Sequence, residues 1–105
     1  MTGKASRPFD ETSKKLLKNP NVAAMYLEEI LADGNMELFM AALKDVANAR
    51  IGSITALSKE TDLNREQLYR TLSKKGNPRL ETLTKVLHAL GLRISVTPEV
   101  MQVSH

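Results

Sequence analysis

The 105-residue chain contains no cysteine, and only 4% of its residues are aromatic. The absence of cysteine excludes disulfide bonds and thiol catalysis, and it removes the commonest zinc ligand. Because there are two Phe, two Tyr and no Trp, the core must be built mainly from Leu, Ile, Val, Ala and Met. No stretch approaches the roughly 20 apolar residues of a transmembrane helix, and no signal-peptide run follows the N-terminus. We therefore expect a single-domain cytoplasmic protein.

Groups that could form a catalytic or metal site are scarce. The two histidines, His88 and His105, have no second ligand at helical spacing. Adjacent carboxylates such as Glu28 and Glu29 diverge on a helix, so they cannot form an acid–base pair. No serine lies in a nucleophile motif, and no glycine-rich loop could cradle a phosphate. We expect no enzymatic activity, no cofactor and no metal site.

Charge is unevenly distributed along the chain. The net charge of +3 is the sum of +3 in residues 1–20, −3 in residues 21–50 and +3 in residues 51–105. The stretch 65–93 holds seven Lys or Arg residues against two acidic ones. A basic stripe of this kind is typical of a polyanion binder. A solvated helical surface would explain the charge alone equally well.

Apolar spacing and capping residues predict five helices. Residues 1–19 show no sustained period and are interpreted as a flexible basic tail, with at most a short turn through Leu16 and Leu17. The domain is expected to span residues 20–97, followed by a tail over 98–105. Its helices are predicted over about 20–33, 35–50, 54–61, 64–72 and 80–90, after the helix-start residues Asn19, Asn35, Ser53, Asn64 and Pro78.

A short strand is predicted after the last helix. Leu92, Ile94 and Val96 alternate with polar residues until Pro98 interrupts the pattern. A single strand is not stable by itself. It must pair within the chain or, as we prefer, with its twin in a second subunit, so these three apolar residues are the predicted dimer contact.

The segment from Ser53 to Leu72 has the spacing of a DNA-binding helix pair. Leu57, Leu63 and Leu68 fit a first helix, a turn with a buried middle residue, and a second helix lying across the first. The outer face of the second helix would then be exposed and able to enter a major groove about 12 Å wide. The rival interpretation is a helical bundle with a basic face.

The exposed side chains in this segment suit base and phosphate contacts. Arginine can bridge guanine O6 and N7, and glutamate can accept from cytosine N4. Asn64 and Gln67 could read adenine, but both could instead be occupied as a capping box, which we favour for Gln67. The predicted base-reading residues are Asn64, Arg65, Glu66, Tyr69 and Arg70. The predicted phosphate contacts are Ser53, Ser73, Lys74, Lys75 and Arg79.

The run from Leu63 to Pro78, LNREQLYRTLSKKGNP, followed by LETL and LHALGL, resembles the phage-repressor-like (Cro/C1, Xre-type) helix-turn-helix domain. Together with FD, YL, DGN and FMAAL upstream, it is similar to the addiction-module antidote family of HigA-like antitoxins, over roughly residues 9–96. The resemblance implies an all-α, five-helix lambda-repressor-like domain with a short C-terminal β-strand. It also implies an antitoxin that neutralises a RelE/ParE-like toxin and represses their operon as a homodimer on operator DNA.

Three positions depart from the Xre-type pattern. The first motif helix usually opens with a phosphate-contacting Gln, where this chain has Ile54. Ser58 replaces a usual Ala, and Asp62 replaces a usual Gly at the turn, where Asp tolerates the left-handed conformation better than most residues. The missing Gln removes one anchoring contact. Two alternatives therefore stay open: a protein-only toxin neutraliser that has lost DNA binding, and a free-standing Xre-type repressor.

The acidic stretch 21–50 is the predicted toxin-facing region, because toxins that act on RNA or ribosomes tend to be basic. Met25, Met36 and Met40 lie in it and fit either core filling or an adaptable partner-binding surface. The basic residues 1–20 are the competing segment, since a disordered segment can fold onto a partner.

Overall fold

The computed structural model describes residues 11–73 and 77–99. This part of the chain forms six helices: α1 (Glu11–Leu17), α2 (Pro20–Asp33), α3 (Met36–Arg50), α4 (Ile54–Thr61), α5 (Arg65–Thr71) and α6 (Leu80–Ala89). Helix α3 packs on α1 and α2 on one side and on α4 on the other, and α4 in turn packs on α5 and α6. The all-α prediction is confirmed. None of these helices combines the length and hydropathy needed to cross a bilayer.

Local side-chain caps start the two long helices where the sequence predicts them. The Asn19 Oδ1 accepts from the backbone N–H of Asn21 at 2.8 Å, and Pro20 occupies the first helical position of α2. The Asn35 Oδ1 accepts from Leu38 N–H at 3.0 Å at the start of α3. These bonds satisfy backbone donors that have no partner within the helix. Gly34 has φ +80° and ends α2 in the left-handed conformation that glycine adopts readily.

The prediction of five helices was wrong by one, because α1 lies within the segment assigned to the N-terminal tail. A seven-residue helix is not stable alone in water. It is held here by packing against α2 and α3, with Leu17 buried. Residues 1–10 of the predicted tail lie outside the described part of the chain.

The core is centred on α3. Its Phe39, Met40, Leu43 and Val46 are buried in the apolar core cluster. The other elements each contribute apolar side chains to the same cluster, among them Leu27, Leu57, Leu68, Val86 and Leu90. A continuous apolar core therefore joins α1 and α2 to the α4–α6 half.

The predicted strand over residues 92–96 is not formed within the described residues, which contain no sheet. The chain leaves α6 through Gly91, and Leu92 is half-buried. Ile94 and Val96 are 42% and 92% exposed. A single strand needs a second strand to pair with, and the described residues provide none. Pairing with a second subunit stays a prediction.

Arg50, the last residue of α3, links three parts of the fold. Its Nε donates to the carbonyl of Leu90 at 2.7 Å, where α6 ends. Its Nη1 donates to the carbonyl of Lys18 at 2.5 Å, in the turn between α1 and α2. Gly91 has φ +82°, and a Cβ at this position would lie 3.1 Å from Arg50 Nη2. A glycine therefore both allows the turn and leaves room for the guanidinium.

We expect Arg50→Met to lower the free energy of unfolding by about 2–3 kcal/mol, because the charged hydrogen bonds are lost and two carbonyls lose a donor. Urea denaturation measures this change. Arg93→Met is the matched control, since Arg93 is exposed, and it should change stability by less than about 0.5 kcal/mol. Equal effects of the two substitutions would contradict the linking role of Arg50.

Candidate nucleic-acid interface

Helix α4 starts at a side-chain cap, and the side chains along one of its faces are buried. The Ser53 Oγ accepts from Ala56 N–H at 3.1 Å, which confirms Ser53 as the capping residue. Ile54 is only 7% exposed and Leu57 is fully buried. The side chain that stands where the Xre-type pattern has Gln is therefore part of the core, so it offers no phosphate contact.

The turn after α4 depends on a left-handed aspartate. Asp62 has φ 65° and ψ 13°, and its N–H donates to Ser58 O at 3.1 Å. Among the described residues, Asp62 is the only non-glycine residue with a positive φ. The interpretation that Asp62 takes the conformation of the usual glycine is confirmed.

Two hydroxyl groups fix the same turn. The Ser58 Oγ donates to Leu63 O at 2.5 Å. The buried Thr61 Oγ1 donates to Leu57 O at 2.9 Å and accepts from Leu63 N–H at 3.2 Å. Both backbone groups of Leu63 are thus satisfied while its side chain is buried. None of these bonds is among the sequence-based predictions, in which Ser58 is only a small replacement for Ala and Thr61 has no assigned role. A signal for these bonds was present in the sequence: two hydroxyl residues lie in the last turn of the helix predicted to end at Thr61.

Helix α5 starts at Asn64, whose Oδ1 accepts from Gln67 N–H at 2.7 Å. One lone pair of that oxygen is occupied, so a bidentate contact with adenine would have to use the second lone pair together with the amide N–H. The capping box is half formed in the described structure, which shows no return bond from the Gln67 side chain to Asn64 N–H. The preference for Gln67 as a reciprocal cap is therefore not supported.

The remaining base-reading candidates share one face of α5. Arg65 and Tyr69 are four residues apart, as are Glu66 and Arg70, so each pair lies on the same side of the helix. All four are exposed, and Tyr69 is 53% exposed although it is aromatic. The opposite side packs into the core through Leu68, Thr71 and the C-capping Leu72.

The phosphate-contact candidates that the structure describes are exposed at element ends. Ser73 follows α5, and its Oγ donates to Arg70 O at 2.9 Å, so its single donor is occupied and a phosphate contact would have to replace this bond. Arg79 precedes α6, where its side chain makes no cap bond. Lys74 and Lys75 lie outside the described residues. Within the described ranges, no three His, Asp or Glu side chains are grouped to hold a metal ion.

Comparison with known proteins assigns the chain to a family. A family model described as "Probable addiction module antidote protein" matches residues 6–98. The chain belongs to this family. An uncharacterized protein of Haemophilus influenzae is 42% identical over 72 residues, which cover 69% of this chain and 72% of the relative. No solved structure matches the chain significantly.

Membership of the probable addiction module antidote family confirms the broader resemblance drawn from the sequence. The matched region contains all six helices and the exposed face of α5. An antidote of an addiction module implies a cognate toxin as partner. The narrower expectations stay predictions: the HigA-like subgroup, the Xre-type motif and the individual DNA contacts.

We expect Ser58→Ala to destabilise the antidote by about 1 kcal/mol, because Leu63 O loses its donor in a partly buried position. Thr55→Ala is the control within α4: Thr55 is exposed, and the higher helix propensity of alanine should leave it neutral or slightly more stable. Urea denaturation of both variants gives the difference. If Ser58→Ala were as stable as Thr55→Ala, the bond to Leu63 would be irrelevant to the turn.

We expect Asp62→Gly to raise the free energy of unfolding by about 0.5–1 kcal/mol, since glycine removes the steric cost of the left-handed conformation. Asp62→Val should lower it by a larger amount, because β-branched residues fit this region worst. Thermal unfolding monitored by circular dichroism tests the order Gly, Asp, Val. Any other order would mean that side-chain contacts of Asp62 outweigh backbone strain.

Proposed function

We propose that this chain is the antitoxin of a bacterial type II toxin–antitoxin module. It neutralises its toxin by direct binding in the cytoplasm, and it represses its own operon by binding operator DNA as a homodimer. Family membership supports the antitoxin role. The DNA-binding role rests on the geometry of α4 and α5.

The DNA-binding proposal rests on the exposed polar face of α5. This helix follows a turn that side-chain hydrogen bonds hold in place. Leu57, Leu63 and Leu68 are buried between the helices, and the hydroxyls of Ser58 and Thr61 hold the turn. Helix α5 therefore presents a surface of fixed orientation, as a helix that enters the major groove requires.

The chemistry of that face supports contact with both bases and backbone. Arg65 and Arg70 supply the donors that recognise guanine, Glu66 supplies an acceptor for cytosine N4, and Tyr69 adds an apolar ring that suits a thymine methyl group. Around it, the proposed phosphate contacts are Lys74, Lys75, Arg79, Ser53 and Ser73, whose hydroxyl would exchange Arg70 O for a phosphate oxygen. Asn64 contributes its amide donor, while its oxygen also caps α5.

A homodimer suits both the sequence pattern and the exposed apolar residues after α6. Ile94 and Val96 are exposed in an extended segment that has no sheet partner in the described chain. Pairing this segment about a two-fold axis would cover them. It would also set two α5 helices to read half-sites about 34 Å apart on a pseudo-palindrome.

The toxin is proposed to be RelE/ParE-like, as the resemblance to HigA-like antitoxins implies. A protein-only neutraliser is the second candidate, and the burial of Ile54 favours it. A chain without the usual Gln contact has one fewer anchor on the phosphate backbone, and affinity for DNA depends strongly on such contacts.

Titration of the purified chain against a labelled fragment of its own upstream region tests the DNA-binding proposal. We expect tight binding that resists scrambled competitor DNA and weakens steeply with salt. Arg65→Ala should relax base preference and cost about 1–3 kcal/mol, because a base contact is lost. Arg79→Ala should weaken binding evenly across sequences and flatten the salt dependence, because it removes a phosphate contact.

Lys85→Ala is the charge-matched control, because Lys85 is exposed in the middle of α6, away from the proposed contacts at its start. It should bind the operator like the parent chain. Binding of the parent no better than to scrambled DNA would leave protein-only neutralisation as the function. Parental behaviour of both Arg variants on a mapped operator would show that α5 is not the reading helix.

A further inference from the structure

The outer side of α2 carries an apolar groove that none of the described helices α1 and α3–α6 lines. The groove has a volume of about 550 Å³ and is open to solvent; its lining residues are Val22, Met25, Tyr26, Glu28, Glu29 and Ala32. Met25 is 68% exposed. A long flexible thioether that lines an open groove can adapt its shape to an apolar group of a partner.

Two further exposed apolar side chains lie close in sequence but do not line the groove. Leu31 on α2 and Met36 at the start of α3 are both exposed. Meanwhile α2 buries only its other side, through Ala23 and Leu27. Large apolar side chains concentrated on one surface mark sites of protein association more often than single exposed ones.

The charge of the same region specifies the partner's chemistry. Residues 19–43 contain four carboxylates, Glu28, Glu29, Asp33 and Glu37, and no Lys or Arg. All four are exposed, and none is in an ion pair with a described residue. The chain's 15 Lys and Arg residues all lie outside this stretch. The groove is therefore rimmed by uncompensated negative charge, which attracts a basic protein and repels nucleic acid.

The groove is separate from the proposed DNA-binding face. Helix α2 packs on α1 and α3, whereas α5 packs on α4, and no contact joins α2 to α5 in the described structure. A second copy of the chain could bind here only if its own Lys and Arg side chains paired with the glutamates of the groove. Eight of the 15 lie in residues 51–105, and five of these eight contact DNA in the proposed function. A different, basic protein suits the groove better.

We propose that the α2 groove is the docking site for the cognate toxin. The toxin would be a small basic protein that inserts an apolar side chain beside Met25 and places Lys or Arg residues against Glu28 and Glu29. This inference rests on the proposed antitoxin function and specifies its surface.

The test uses the protein encoded beside this chain's gene as the probe, purified and titrated calorimetrically into the full-length chain. Glu28→Lys/Glu29→Lys should weaken binding at least tenfold, and raising salt should weaken the binding of the parent chain. Glu81→Lys/Glu99→Lys is the matched control: it makes the same charge change at two exposed glutamates on other segments. It should bind within about twofold of the parent. Met25→Ser should weaken binding severalfold without any change of charge.

Melting curves and operator binding of each variant check that the fold and the DNA-binding face are intact. If the parent chain does not bind the adjacent protein, the antitoxin function fails together with this inference. If the parent binds and the α2 variants bind equally well, the function stands and the groove assignment is wrong. An acidic adjacent protein, or a change of oligomeric state in the α2 variants without toxin, would also overturn the assignment.

Discussion

The fold depends on one guanidinium group that satisfies two helix-end carbonyls. Helices leave their last carbonyls without partners, and Arg50 donates to Leu90 O at the end of α6 and to Lys18 O between α1 and α2. Because Arg50 ends α3, the central helix is tied to both halves of the molecule at one point. A polar link of this kind sets the relative position of the halves, whereas the aliphatic core around α3 supplies most of the apolar burial.

The candidate DNA-binding face depends on a second set of short polar contacts. The turn between α4 and α5 lacks the usual glycine, and the chain replaces its function with Asp62 in the left-handed conformation. Ser58 and Thr61 then hold both backbone groups of Leu63. Small side chains at the end of α4 thus decide the direction of α5, and with it the placement of Arg65 and Tyr69.

Local features of this fold could be predicted from the sequence, and features that depend on distant contacts could not. Asn19 and Asn64 cap helices through bonds to residues two or three positions away, so their signals are contained in short stretches. Helix α1 forms only because α2 and α3 pack on it, and the bonds of Arg50 span 32 and 40 residues. The exposure of the α5 face followed from leucine spacing. The groove on α2 required the structure, because apolar spacing alone does not distinguish Met25 from a core residue.

The scarcity of aromatic residues has a consequence for spectroscopy. The chain has two tyrosines and no tryptophan, so its ultraviolet emission comes from two positions. Tyr26 lines the α2 groove, and its hydroxyl donates to Asp45 Oδ2 at 3.4 Å. Tyr69 stands exposed on α5. A Tyr→Phe change at either position would leave a single intrinsic fluorophore, so that each end of this small protein reports its own ligand without an attached dye.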